Sequence, residues 1–455
     1  MNQTRDALRD DALAIWQAGV DAVRSDQLVM DTVSIRNGQL VVGDLHLPLA
    51  DIGRIAVVGC GKAGAGMAAG LENALGDEVL QAKSVEGWIN VPDDCLAPRK
   101  RVHLHGARPP GVNEPTEEGV AGTKRILETV RSLGPNDVCF CLISGGGSAL
   151  MPAPADGITL ADKLRVTQHL SGAGANIQQL NTVRKQLSAI KGGRLAEACN
   201  AGRLIALITS DVLGDPLDVI ASGPTVPDSG TPEQALQVLE EFDARAGGVS
   251  ERVFRFLERR DESGPSPPSC EVMNLVIGNN ATSVEAAVRA AAQRGYATES
   301  QAVQELESDA ERVGVQLADR AIAMRAAPGR RCLVSGGEPT VRLIDSRRRG
   351  RGGRNQQLVL AALDHLVRQR GDRADRIALL SGGTDGEDGP TDAAGALLDE
   401  RVVAAARMSA LSAADCLERN DAYSFFNPLD ALIRTGPTHT NVCDLRVVVT
   451  WGESA

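Results

Sequence analysis

The chain has 455 residues, 43% hydrophobic and only 2% aromatic, with a formal charge of −11. That length provides two or three domains with real cores and excludes global disorder. The acidic balance and the scarcity of stacking platforms exclude nucleic-acid binding as the main role, and no stretch reaches the roughly 20 apolar residues of a membrane span.

Residues 1–11 are polar and acidic, unlike a secretory signal. Nine scattered cysteines without paired metal spacing read as buried thiols in a reducing, cytoplasmic setting. Residues 5–24 predict an amphipathic helix through Leu8, Leu13, Trp16, Val20 and Val23. Residues 33–47 predict a hairpin about Asn37-Gly38. A strand over 55–59 leads into a helix over 62–75, and further strands follow at 85–91, 102–105, 138–144 and 204–210. Helical patterns separate most of them, which implies a parallel sheet covered on both faces. A second alternating series runs from 273–278 through 331–335 and 377–381 to 445–450. The Pro/Ser/Gly-rich stretch 262–270 punctuates the two, so a boundary is expected within 230–272, giving domains 1–245 and 246–455.

Three apolar runs end in Ser-Gly-Gly, at Ser144, Ser335 and Ser381. Each reads as a buried strand whose carboxyl end opens into a tight turn, where backbone amides approach an anion. The expected binding residues are Gly61, Ser144, Gly145, Gly146, Gly147 and Ser148 on one side, and Ser335, Gly336, Gly337 and Glu338 on the other. Gly59-Cys-Gly61-Lys62-Ala-Gly64 follows a strand and matches a dinucleotide fingerprint, but the next strand ends in Asn90-Val-Pro instead of a ribose-binding acid. A lysine at a helix start opposes the helix dipole, and a bound anion explains its placement. Arg184, Ser188 and Lys191 share one face at helical spacing, which makes Arg184 and Lys191 candidate phosphate partners. Asp211 closes an apolar strand, and Asp385 and Glu387 lie in an acidic glycine-rich loop; carboxylates so placed suit Mg²⁺. Arg354-Asn355-Gln356 opens a helix, where Arg354 offers a bidentate fork for carboxylate or phosphate and Asn355 and Gln356 are further expected binding residues. His103, His105 and His439 read as ordinary residues.

These segments together resemble the class II glycerate 2-kinases. The motifs Gly-Cys-Gly-Lys-Ala, Ser-Gly-Gly-Gly-Ser-Ala-Leu, Val-Arg-Lys-Gln-Leu-Ser-Ala-Ile-Lys-Gly-Gly-Arg-Leu and Thr-Ser-Asp-Val-Leu-Gly-Asp-Pro carry the resemblance in the first half. Ser-Gly-Gly-Glu-Pro-Thr-Val, Gly-Gly-Arg-Asn-Gln-Gln and Thr-Gly-Pro-Thr-His-Thr-Asn-Val carry it in the second, which resembles the MOFRL domain. Cys443 departs from the pattern, since an Asn is common there.

The resemblance implies an α/β fold with a Rossmann-like N-terminal sheet, a smaller α/β C-terminal domain, and a cleft between them. It implies ATP-dependent phosphorylation of D-glycerate at the 2-hydroxyl, with ATP and Mg²⁺ and with Lys62 and Arg354 as leading catalytic residues. Asp211 is a candidate proton acceptor, and Asp211, Asp385 or Glu387 candidate metal holders. The partners are small molecules, with no nucleic acid and no membrane, and a homodimer is left open. Some relatives carry the label hydroxypyruvate reductase, which would need a nicotinamide site and an acid for the carbonyl. Phosphoryl transfer needs mainly charge and positioning, which suits this residue set better.

Overall fold

The computed structural model describes residues 2–112, 114–260, 267–301, 307–368 and 375–452, with residues 2–6 as backbone only. Two compact units emerge: Ser25–Ile277, and Met1–Arg24 together with Gly278–Ala455.

Within Ser25–Ile277, a small antiparallel sheet comprises β1 (Val33–Arg36), β2 (Gln39–Val42) and β3 (Leu45–Pro48). Asn37 (φ 52°) and Gly38 (φ 72°) make the expected two-residue turn. The main sheet contains β4 (Ile55–Cys60), β5 (Glu86–Pro92), β6 (Val102–Arg108), β7 (Val138–Ile143), β8 (Arg203–Thr209) and β9 (Glu271–Gly278). Its order is β6-β5-β4-β7-β8-β9, and the pairs from β6 through β8 are parallel. Every residue of β4 and β7 is buried, because helices cover both faces. The chain builds outward from β4 to β6, then returns to place β7 on the other side of β4. The carboxyl ends of β4 and β7 therefore form the topological switch point, where open α/β sheets bind ligands.

The second unit is a mixed sheet of β10 (Ala297–Gln301), β11 (Gly329–Gly337), β12 (Ile377–Gly383), β13 (Gly395–Leu398), β14 (Leu432–Ile433) and β15 (Asp444–Gly452). The order is β10-β11-β15-β12-β13-β14, and β15 runs antiparallel to both β11 and β12. The helix Asn2–Asp21 covers one face, burying Leu8, Ile15, Trp16 and Val20 against Leu380, Leu445, Val447 and Val449. Full burial of each large apolar side chain contributes about 1.5–3 kcal/mol. The helices Ala310–Ala326 and Arg354–Arg368 cover the other face.

These units differ from the partition 1–245 and 246–455. Trp16 explains one difference: its ring lies 3.0 Å from where a Gly382 Cβ would stand, so the first helix belongs with β12. The segment expected to start the second series is β9, which instead extends the first sheet. Glu271 pairs with Arg203, Asn274 Oδ1 accepts from Thr225 Oγ1 at 2.6 Å, and Leu275 and Ile277 pack on the first core. Of the punctuation at 262–270, residues 262–266 lie outside the described residues. Among the described residues, no helix is long and apolar enough to cross a membrane.

Candidate active site

The switch point of the first sheet is a corner built from two strand ends. Gly61 and Lys62 continue β4, and Ser144–Ser148 continue β7. The Lys62 amide donates to the Gly145 carbonyl at 2.9 Å, the Ala63 amide to Ser144 Oγ at 3.0 Å, and the Ser144 amide to the Cys60 carbonyl at 3.0 Å. Gly61 (φ 136°) has no room for a side chain, because a Cβ would lie 2.1 Å from Ser144 Oγ. The helix begins at Gly64, so Lys62 stands in the turn before it, half-buried.

Gly146 (φ 78°) lies beside the Arg108 guanidinium and the aliphatic stem of Lys62: a Cβ there would stand 3.3 Å from Arg108 Nη2 and 3.8 Å from Lys62 Cγ. Arg108, buried at the end of β6, was not singled out in the sequence; its one signal is a cation closing a strand. Asn90 occupies the position of a ribose acid, yet its amide donates to the Leu150 carbonyl at 2.8 Å and ties β5 to the loop. Asp211 follows β8, one strand beyond β7, and is half-buried.

The basic segment divides by function. The helix Ile177–Gln186 ends before Ser188, so Arg184 and Lys191 do not share a helical face as expected. Gly192 and Gly193 take positive φ, and Ser188 Oγ accepts from the amides of Ile190 and Lys191, which turns the chain. Several cations here serve the helix's carboxyl end. Arg194 donates to the Lys185 carbonyl at 2.9 Å and Lys163 to that of Leu187 at 3.1 Å, and Arg260 reaches that of Gln186. Lys185 is paired with Asp228 at 3.2 Å. Arg184 Nε donates to Thr167 Oγ1 at 3.2 Å, whereas Lys191 reaches under the glycine loop to Ser148.

In the second unit, Ser335-Gly336-Gly337 and Ser381-Gly382-Gly383 are not turns. Both remain in strand, paired across to Arg446, Leu445 and Asp444 of β15. An antiparallel neighbour prolongs these strands, and their glycines make room for packed side chains instead of an anion. A Cβ at Gly336 would meet Asn280 Oδ1 at 1.5 Å, and one at Gly337 would meet Glu307 Oε2 at 2.0 Å.

This register places Asp444 between the ends of β11 and β12. Its buried carboxylate accepts from Arg354 Nε at 2.7 Å, Arg354 Nη2 at 3.0 Å and Asn355 Nδ2 at 3.0 Å. Arg354 Nη1 pairs with Glu338 at 2.9 Å. Burial opposes the Arg354 charge, but Asp444 and Glu338 hold its pKa above the ordinary value. Burial pushes Glu338 up, with Asp444 and Asp385 adding to the rise and Arg354 opposing it. Asp388 caps the Arg354 helix, accepting from the amides of Asn355 at 3.0 Å and Gln356 at 2.8 Å. Burial raises its pKa to about 7 against those two bonds. Asn355 also accepts from Ser381 Oγ at 2.5 Å, and Gln356 Nε2 donates to Thr391 Oγ1 at 3.0 Å. Asn355 and Gln356 thus position the start of the helix. Asp444 and Asp388 were missed because their importance comes from strand register and helix capping, not from local pattern.

Asp385 Oδ1 accepts the Glu387 amide at 3.0 Å within its loop. Cys443 takes φ 67°, a region Asn tolerates better, and its carbonyl accepts from Thr384 Oγ1 at 2.7 Å to hold that loop. Among the described residues, no group of three or more His, Cys, Asp or Glu side chains is arranged to hold a metal ion. Mg²⁺ needs only one or two protein carboxylates when phosphates and water complete its shell, and the carboxylates of Asp211, Asp385 and Glu387 are of the right chemistry for that use.

A parallel sheet with a lysine in the glycine corner at its switch point defines an α/β protein suited to phosphorylated small molecules. Residues 11–258 match the domain of unknown function DUF4147, and residues 331–444 match the MOFRL family. A mouse (Mus musculus) glycerate kinase is 36% identical, over 97% of this chain and 93% of that protein. A putative hydroxypyruvate reductase from Agrobacterium vitis is 37% identical, over 88% and 100%. A D-glycerate 2-kinase from Thermotoga maritima is 34% identical, over 97% and 98%. A crystal structure of glycerate kinase from that organism matches with a TM-score of 0.81 at 34% identity, covering 98% of this chain and 100% of the other. The chain belongs to the glycerate kinase family built from DUF4147 and MOFRL domains.

Proposed function

We propose that this enzyme transfers the γ-phosphoryl group of ATP to the 2-hydroxyl of D-glycerate. The observation that carries the reading is Lys62 in a two-strand glycine corner, in a chain similar over its full length to glycerate kinases. Lys62 and Arg108 lie beside the Gly145–Ser148 loop, and Lys191 meets it from beneath through Ser148, while Arg184 is held on Thr167. Arg354 has five N–H bonds, and those to Asp444 and Glu338 use three. The remaining two suffice for one carboxylate, which suits glycerate. Asp444 fixes that fork and Asn355 fixes Asp444.

The glycerate 2-hydroxyl oxygen attacks phosphorus in line as the bond to ADP breaks, and Asp211 accepts the hydroxyl proton. Catalysis of this kind rests on positioning and charge. Asp211, Asp385 or Glu387 would hold Mg²⁺, directly or through water; bound there, the ion would neutralise phosphate charge.

The reductase label on one relative gives the competing reading its support. The committed Asn90 amide and the missing ribose acid weigh against it. The test supplies D-glycerate with Mg·ATP and, in parallel, hydroxypyruvate with NADH or NADPH. ADP release with 2-phosphoglycerate formation is expected in the first; nicotinamide oxidation with no ADP release would reject the proposal.

A further inference from the structure

Beneath the glycine loop, Lys191 Nζ donates to Ser148 Oγ at 2.5 Å, to Ser222 Oγ at 3.2 Å and to the Ser148 carbonyl at 3.0 Å. The two hydroxyl oxygens are 3.0 Å apart. Lys191 and Ser222 are enclosed, 3% and 1% exposed, whereas Ser148 is partly open. Phosphoryl transfer requires a cation near this loop, but not an amine shared between two serine hydroxyls.

Ser222 adds a second observation. It takes φ 63° directly after Ala221 at φ 50°, two successive non-glycine residues in the left-handed region. Such conformations cost of order 1–3 kcal/mol each and persist where surrounding contacts impose them. Here the turn delivers the Ser222 hydroxyl to the buried amine.

A lysine so placed has two uses. Charged, it staples the Ser148 and Ser222 turns together. Neutral, its lone pair faces a hydroxyl at hydrogen-bond distance and can take that proton. Burial, then the charges of Arg184 and Lys185, lower Lys191 to about 7, while Cys60 opposes the fall. Arg194 donates to the Lys191 carbonyl at 2.9 Å, and the Lys191 charge in turn helps burial to lower the pKa of the neighbouring Lys163. The neutral form is therefore accessible near physiological pH.

We propose that Ser148 is a nucleophile, with Lys191 as its general base and Ser222 as the hydroxyl that orients the amine, acting on small activated carboxylic esters. Serine–lysine pairs are an established alternative to Ser-His-Asp. The Ser148 Oγ–carbon bond forms as the ester C–O bond breaks. The Ser148 proton passes to Lys191 Nζ and then to the leaving alkoxide. Water attacks the acyl-serine, Lys191 takes its proton, and that proton returns to Ser148 Oγ as the carboxylic acid departs.

The test treats the full chain with a fluorophosphonate probe, without ATP or glycerate, so the result is independent of kinase activity. Ser148 Oγ would bond to phosphorus as fluoride leaves. One label per chain, located on Ser148 by peptide mass spectrometry, is expected. The labelling rate rises with pH through about 7 and then levels. Lys191→Arg keeps the charge but cannot deprotonate, and slows labelling at least about 100-fold, the lower range for a general base. Ser148→Ala abolishes the label. No label on Ser148, a rate flat with pH, or a wild-type rate in Lys191→Arg would overturn the proposal. If Lys191→Arg fails to fold, the site of labelling and the wild-type pH profile still decide it.

Discussion

Arg354→Ala is expected to destabilise its own unit as well as abolish turnover. Asp444 is 0% exposed and accepts three hydrogen bonds, two of them from Arg354. Removing the guanidinium leaves a buried carboxylate with only the Asn355 bond from that set. Breaking one partner of a buried pair costs about 3–5 kcal/mol. The Arg354 side chain is itself 34% exposed, so water enters the vacated space and the loss falls to about 2–3 kcal/mol. Asp444→Ala leaves a guanidinium that water and Glu338 can reach, and should cost less, about 1–2 kcal/mol. The double variant should be more stable than the sum of the two singles by at least about 1 kcal/mol. Urea unfolding in a Trp88→Phe background reads this directly, because Trp16 and Trp451 belong to the unit containing Arg354. Coincident unfolding curves for wild type and Arg354→Ala would refute the reasoning.

Lys62→Ala should lower kcat by at least about 100-fold, the scale of a key electrostatic donor, in steady-state ADP release with glycerate. Gly61→Ala should lose activity and about 1–3 kcal/mol of stability in thermal unfolding, because a Cβ would also stand 2.7 Å from the Ser144 carbonyl oxygen, a backbone contact that no side-chain rotation relieves. Lys191 and Lys163 both bind fewer protons folded than unfolded, since burial lowers their pKa values. The folded state therefore gains stability as pH rises from about 7 toward 10.5, the ordinary lysine value, and Lys191→Met should flatten the urea-midpoint slope across that window.

Much of the fold was legible because β4, β7, β8, β12 and β15 are short, almost continuous apolar runs. The corner at Gly61-Lys62 and Ser144–Ser148 was legible for the same reason: a buried strand followed by glycines leaves few conformations. Strand order and direction were not, since β15 follows β12 and inserts between β11 and β12 without any local mark. That hidden antiparallel insertion turned two expected loops into paired strand and brought Asp444 to Arg354. The attachment of the first helix to β12 and of β9 to β8 depends on contacts distant in sequence. Composition cannot report them.

The central claim is that phosphate charge is held at the switch point of the first sheet. A crystal structure of the full chain with Mg²⁺ and a non-hydrolysable ATP analogue tests it most directly. The phosphates should lie within hydrogen-bond distance of Lys62 Nζ and the amides of residues 145–148. A triphosphate bound elsewhere, with that corner empty, would contradict the account.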